Sequence, residues 1–348
     1  MLYLGLDVHC NWFTLVGFDK ITGECLRIPK VLNDEESIDA VFKRLPSPRY
    51  GAMESGTNAF SMYRKLKKYF DNLIIVSPNK VWNRISNKAP KTDGLDAKGL
   101  AEELSLGRLT PIYIPDDNIR DYRSLCRGRM DRARDLTRQV NEIYALLRSW
   151  GVHVENKLLT KTGRNWLDTV TLSQHAGLIL KHQLEILDKL QEQHDEEEKI
   201  INDIAKNNDI CKRLMTIPGV GAITAMVLLT EIGDIKRFSS ADKLISYAGL
   251  DPRVIQSGER CRYGHITKHG NSHIRHVAVL FAQHVCQTHK KTSLKEKFYR
   301  LIHSHDRNEI KIILARDFLS VVHSMWRNGC DWEYPRNLPP AKPDSVAK

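Results

Sequence analysis

The chain lacks any run of about 18 apolar residues, so no segment of it is built to span a bilayer. Its first residues, Met1-Leu2-Tyr3-Leu4-Gly5-Leu6-Asp7, carry neither a basic stretch nor a long apolar one, and no secretory signal is expected there. It has no Cys-x-x-Cys pair, and its seven cysteines are an odd number. That argues against a disulfide framework or a zinc ribbon and fits a reducing, cytoplasmic setting. There is no internal repeat. Acidic residues are in deficit: 42 Asp and Glu face 53 Lys and Arg, a formal net charge of +11. Such an excess attracts a polyanion. Lysine is missing from one stretch altogether, since eight arginines and no lysine stand between Arg120 and Arg148. Arginine forks phosphate bidentately and is weakly hydrated, so this run favours phosphate contact, with Arg127 and Arg134 as candidate nucleic-acid ligands. The rest of the composition is that of a soluble globular protein: 348 residues, 41% hydrophobic and 27% charged, enough for two or three domains.

Hydrophobic patterning divides the chain. Residues 1–112 read as α/β, with short apolar strands at Leu2–Leu6, Phe13–Phe18, Cys25–Val31, Tyr50–Met53 and Leu73–Val76. Helical spacing lies between them at Ile38–Leu45 and Ala59–Phe70, which predicts a mixed sheet flanked by helices. Residues 113–210 change character. Leu136, Val140, Ile143 and Leu147 follow the seam spacing of a coiled coil, and Ile179 to Ile204 is helical with Ile186, Leu190, Ile200, Ile201 and Ile204 set among charges. Two long helices with a break predict an antiparallel hairpin suited to dimerisation, a single-chain helical subdomain being the alternative. The run Asp195–Lys199 reads as a solvated face. Residues 211–334 are mainly helical. There, Ile217-Pro218-Gly219-Val220-Gly221 precedes a helical run from Ala222, the shape of a helix-hairpin-helix element whose open N-terminus suits a phosphate. Residues 335–348 are Pro-rich and charged, a tail expected to be disordered.

Four acids stand out by position. Asp7 and Glu54 end apolar strands, and Asp93 and Asp96 stand just before the helical stretch Lys98–Leu106. A spacing of three puts the latter pair on one helix face if the helix begins at them. Carboxylates at strand ends converging with a helical acid pair supply the oxygen ligands that Mg²⁺ requires, and two such ions can clamp a phosphoryl transfer. The plainer alternative makes Asp93 an N-cap, Asp96 a dipole acid and Glu54 a surface charge.

Strand–Asp7, strand–Glu54 and Thr-Asp93-x-x-Asp96-Ala together resemble the RuvC-like, ribonuclease-H-like DEDD domain of an insertion-sequence transposase family related to the Piv DNA invertase. The second half carries the same family's later signature: Ile-Pro-Gly-Val-Gly at 217–221, Tyr-Ala-Gly-Leu-Asp-Pro-Arg at 247–253, Gln256-Ser257-Gly258, Gly264-His-Ile-Thr-Lys268-His-Gly270-Asn, and Ile274-Arg275. The departures are small, chiefly His9 and Cys10 after Asp7, where relatives often have small or polar residues. The resemblance implies a DNA recombinase guided by a structured non-coding RNA, with donor and target DNA as substrates, acting as a dimer or tetramer on the prokaryotic nucleoid. It further implies that Ser257 is the nucleophile and that Asp7, Glu54, Asp93 and Asp96 hold Mg²⁺.

The chemistry around Ser257 is consistent with that role. A serine hydroxyl needs activation, and Arg253, Arg260, Arg262, Lys268 and Arg275 supply cations to hold a phosphodiester and its developing charge. A phosphoserine conserves the bond energy for rejoining. One competing reading is a metal-dependent, junction-resolving nuclease with water as nucleophile. Another is a catalytically silent RNA-binding protein, which the presence of all four acids and the serine disfavours. Cys261, His265 and His269, with His273 or His276, imitate a zinc pattern, but one without the tight cysteine pairs zinc sites favour. Trp82, near Lys80, Arg84 and Lys88, reads as core, with base stacking as the alternative.

Overall fold

The computed structural model describes residues 1–77, 92–154, 158–257, 260–290 and 292–333, without the side chains of 254–257 and 260–263. The tail beyond Pro335, Gly258, and Trp82 with its basic neighbours lie outside the described residues. The chain divides into two units, Met1–Pro115 and Asp116–Lys348.

The first unit is built on five strands: β1 (Leu2–Val8), β2 (Trp12–Asp19), β3 (Cys25–Leu32), β4 (Arg49–Glu54) and β5 (Asn72–Val76). Their order is β3-β2-β1-β4-β5. β1 pairs antiparallel with β2 and β2 with β3, whereas β1–β4 and β4–β5 are parallel. Sequence patterning predicted these strands and the mixed sheet. Helix α1 (Glu35–Phe42) is capped by Asp34, whose carboxylate accepts from Ser37 N–H at 2.7 Å. With α2 (Ala59–Leu66) it covers one face of the sheet, where Ile38, Phe42, Met62 and Leu66 pack on Leu4, Leu6 and Phe13.

Helix α3 (Asp93–Ser105) packs on β1 through small residues. A β-carbon at Gly5 would collide with the Ala97 carbonyl oxygen and lie 2.8 Å from Ala101 N, so only glycine allows the helix backbone to rest on the strand. Gly5 and Asp7 share one face of β1 by strand alternation, and Asp93 lies one turn before Ala97 on α3. The Gly5–Ala97 contact therefore turns Asp7 and Asp93 toward each other. The helix starts five residues before the expected Lys98. Its N-cap is Thr92, which accepts from Leu95 N–H at 3.4 Å, so the alternative of Asp93 as N-cap is corrected: Asp93 is the first helical residue.

The second unit begins with an antiparallel hairpin of α4 (Asp117–Ser149) and α6 (Gln174–Asn207), with the short α5 (Lys161–Leu167) near its tip. Leu136, Ile143 and Leu147 of α4 meet Leu180 and Leu187 of α6 in a small distal core. Cys126, Met130, Ile201 and Ala205 join the larger core instead. The seam differs in detail from the sequence reading. Ile186 is 52% exposed and Ile200 44% exposed, and the packing falls to Leu180, Leu187 and Ile201.

The large core is organised by α7 (Asp209–Met215), α8 (Ala222–Ile232), α9 (Ala241–Tyr247), α10 (Ser272–Gln287), α11 (Ser293–Leu301) and α12 (Arg307–Asn328). α8 is buried along its whole run from Ala225 to Ile232. Phe281 of α10 stacks on Phe318 of α12 with ring centroids 3.9 Å apart. Between α9 and α10 lies a two-stranded antiparallel ribbon, β6 (Pro252–Ser257) and β7 (Arg260–Ile266), which the sequence reading did not anticipate. Among the described residues no helix is long and apolar enough to cross a membrane.

Candidate metal centre and serine ribbon

Asp7 and Glu54 stand at the C-terminal ends of adjacent parallel strands, since Leu6 pairs with Met53 immediately before them. Loops at such strand ends are where open α/β sheets place their ligands. Asp93 comes from the first turn of α3. The structure brings Asp7 and Asp93 together and adds His9, so that one ligand atom from each lies within 4.8 Å of the others. His9 Nε2 is 3.5 Å from Asp7 Oδ2 and 3.3 Å from Asp93 Oδ2. Among the described residues this is the one trio of His, Cys, Asp or Glu side chains so arranged. Glu54 and Asp96 are half-buried and not part of it.

The sequence reading passed over His9, treating it as a departure from a pattern. The available signal was alternation: two residues after Asp7 along an extended chain, a side chain returns to the same face. The local fold fixes it there. His9 N–H donates to the Trp12 carbonyl at 2.9 Å, Asn33 Nδ2 donates to the His9 carbonyl at 3.1 Å, and the imidazole lies tilted against the Trp12 indole with ring centroids 4.0 Å apart.

The trio fits a divalent cation. Two donors bound at ~2.1 Å and separated by about 90–110° at the ion stand about 3.0–3.4 Å apart. The 3.3 Å separation falls within that spacing and the 3.5 Å separation just above it.

Ser257 is the last residue of β6 and pairs with Arg260 across the ribbon, at its far end from the core; Arg262 pairs with Ile255. The side chains of Ser257, Arg260, Cys261 and Arg262 lie outside the described residues, and so does the zinc pattern that depends on Cys261. The base of the ribbon is described in full. Thr267 N–H donates to the Asp251 carbonyl at 2.8 Å, Lys268 N–H to Gly249 at 3.1 Å and Asn271 N–H to Tyr247 at 2.7 Å. Gly270, at φ 147°, lies against Tyr247, where any β-carbon would collide with the carbonyl oxygen. Lys268 is exposed and takes φ 56°, and Arg253 is exposed on β6. Arg275 is turned inward to this base, donating to the Ala248 carbonyl at 2.8 Å and to Lys268 at 3.3 Å. The motif residues around 247–253 and 264–275 thus build the platform that carries Ser257.

Below that platform a buried carboxylate pairs with a half-exposed arginine. Glu231, 2% exposed on the apolar helix α8, accepts from Arg127 Nε at 2.7 Å and Nη2 at 2.9 Å, and from Asn271 Nδ2 at 2.7 Å. Burial alone would push its carboxyl up, but the hydrogen bonds from Arg127 and Asn271 and the charges of Arg127 and Arg123 hold it below the ordinary value. Asn271 also caps α10. Most of the arginine run faces carboxylates of its own chain in the same way. Arg129 meets Glu198 at 2.6 Å, Arg132 meets Glu197 at 3.9 Å, Arg138 meets Asp135 at 3.0 Å and Arg134 pairs with Asp131. Arg134 remains largely exposed. Glu197 and Glu198 therefore face α4, while Asp195, Glu196 and Lys199 are exposed, so the solvated-face reading of that run is corrected only for its two middle acids.

Comparison with known proteins gives a consistent result. Residues 4–151 match a profile of DEDD transposases of IS110 type, and residues 211–300 match that of the transposase IS116/IS110/IS902 family. The transposase for insertion sequence element IS1111A of Coxiella burnetii is 27% identical over 335 residues, 92% of this chain and 88% of the relative. The probable family 20 transposase of Pseudomonas aeruginosa is 24% identical over 324 residues, 90% of this chain and 93% of the relative. The putative transposase y4qE of Sinorhizobium fredii is 26% identical over 234 residues, and this chain spans 57% of its length. With one profile on the sheet that carries the acids and the other on the core that carries the ribbon, the chain belongs to the IS110/IS116/IS902 family of DEDD insertion-sequence transposases.

Proposed function

We propose that this chain cuts and rejoins the DNA of its own mobile element through a covalent phosphoserine on Ser257, with a RuvC-like first unit supplying the metal-dependent step and a structured RNA guiding target choice. The observation that carries the reading is the convergence of Asp7 and Asp93, on separate elements, at the strand ends of a sheet ordered β3-β2-β1-β4-β5. The family match favours this over the junction-resolving nuclease. Asp7, Glu54, Asp93 and Asp96 would hold the divalent cation, taken here as Mg²⁺. When bound, it stabilises charge on the transferring phosphoryl group and on the entering and leaving oxygens.

The chain's own residues account for the rest. The ribbon lifts Ser257 away from the core, where a strand can reach it. Arg253 and Lys268 are exposed to meet phosphates, and Arg260 and Arg262 flank the serine in register. Arg127 and Arg275 act from beneath, holding the ribbon's base. In the covalent step the Ser257 oxygen bonds to phosphorus, the bond to the leaving sugar oxygen breaks, and the serine proton passes to solvent or a base. Reversal by a second sugar hydroxyl restores the serine and seals the strand. Base pairing by a guide RNA would leave the protein to read backbone and shape. Acids and serine belong to different units, so the site can be shared between protomers of a dimer or tetramer, with the α4–α6 hairpin as the assembly element.

Labelled donor DNA with guide RNA and Mg²⁺ tests the reading. Wild type is expected to leave a protein–DNA adduct that Ser257→Ala abolishes. An adduct persisting in Ser257→Ala removes the serine from its role. A mixture of Asp7→Asn and Ser257→Ala chains should regain activity, and complete failure of rescue argues against sharing.

A further inference from the structure

In that reading His9 has no role, yet its imidazole stands between the two converging carboxylates. We propose that His9 is a nitrogen ligand of the divalent-cation site and biases it toward Mn²⁺ over Mg²⁺. The inference rests on Asp7 and Asp93 being metal ligands.

Three features carry it. First, His9 Nε2 is screened from solvent and makes no hydrogen bond, although carboxylate oxygens lie 3.3 and 3.5 Å away. Those separations suit donors gathered around one ion at ~2.1 Å better than a hydrogen bond, whose usual length is about 2.7–3.2 Å. Second, the ring is placed in advance. The Trp12 indole packs against it, and the turn between β1 and β2 is pinned by Asn33 Nδ2, which donates to the His9 carbonyl at 3.1 Å and the Cys10 carbonyl at 2.9 Å. A ligand held this way loses little freedom on binding. Third, the donor set is mixed. Magnesium is hard and takes oxygen ligands, keeping several waters. Imidazole suits first-row transition ions, and affinity for a mixed nitrogen and oxygen site rises from Mn²⁺ along the series. A site of four carboxylates would not distinguish the two ions on these grounds, whereas one with an imidazole does.

The competing arrangement is a protonated His9 pairing with both acids, in which a metal would have to displace it. The two make opposite predictions. The full-length chain is titrated calorimetrically with Mn²⁺ and with Mg²⁺, as wild type, His9→Ala, His9→Gln and Asp7→Asn. Electron spin-echo spectra of bound Mn²⁺ are recorded for modulation by an imidazole nitrogen. The expected result is nitrogen modulation in the wild type, lost in both His9 variants. Mn²⁺ affinity should fall by about ten-fold or more, and Mg²⁺ affinity by less than about three-fold. Wild-type Mn²⁺ bound without nitrogen modulation overturns the inference while leaving the acidic site intact. So does a rise in affinity for both ions in His9→Ala. If Asp7→Asn binds both ions as wild type does, the acidic-site reading falls and this inference with it. The wild-type spectrum requires no variant to fold, so the test stands even if His9→Ala is unstable.

Discussion

Replacing Glu231 by alanine is the most exacting test of the second unit's construction. Glu231 is the one charged residue of a mainly apolar, buried helix, and three donors converge on its carboxylate at 2.7, 2.9 and 2.7 Å. Removing one partner of a fully buried pair costs about 3–5 kcal/mol, because the other charge is left without compensation. Here the remaining charge, Arg127, is 45% exposed and water relieves part of the penalty. The lost amide contact from Asn271 adds a little back, so the cost comes to about 3 kcal/mol. For a unit of this size that lowers the melting temperature by about 6–12 °C. Glu231→Gln, which keeps one acceptor, should lose roughly half as much. Calorimetric melting of the wild type and both variants measures this. A fall under about 2 °C for Glu231→Ala would refute the view that this pair holds the unit together. The same carboxylate makes stability depend on pH. Its folded pKa lies below the ordinary carboxylate value, so its contribution is present above that value and is lost as pH falls through the folded pKa. Glu231→Gln should flatten the acid limb of the stability curve.

Other outcomes follow from backbone contacts and burial. Gly5→Ala should push α3 off β1 and weaken divalent-cation binding by about ten-fold or more without altering a ligand, as read by calorimetric titration. Gly270→Ala should loosen the ribbon's base, abolish the Ser257 adduct and leave cation binding by the first unit unchanged, which adduct assays and titration check in parallel. Among the described cysteines, a thiol reagent at neutral pH should label Cys10, Cys25 and Cys330 and spare Cys126 and Cys211, whose thiols burial pushes up to about 12; peptide mass analysis reads the pattern.

Strands in the first unit were legible because each is a short apolar run bounded by turn residues, and the acids at their ends were legible for the same reason. His9 was harder to read, since alternation from Asp7 gives only its face, and the turn pinned by Asn33 places its ring. The start of α3 was read late because Asp93, Gly94 and Asp96 are poor helix formers, and the cap at Thr92 overrides their propensity. Along α6, apolar spacing alone could not tell Ile186 from Leu187, because a stripe wider than the partner's seam leaves some members outside. Arginine without lysine was read as a sign of phosphate contact; in the structure Arg127 forks the Glu231 carboxylate, and Arg129, Arg132, Arg134 and Arg138 each pair with an acid of this chain. The ribbon was hidden because glycines and charges interrupt its short apolar runs, and its pairing depends on contacts from Tyr247 and Asn271 at either side.

The hairpin of α4 and α6 has a further consequence. Its chain departs from the large core near Met130 and comes back near Ile201, while the residues beyond keep a small core of their own. Matched excision of seven residues from each helix would shorten the arm by about 10 Å yet keep the heptad phase, leaving both anchorage points where they were. Arm length is thus a dimension that evolution or an engineer can adjust, like the span of a caliper, while the jaws themselves are untouched.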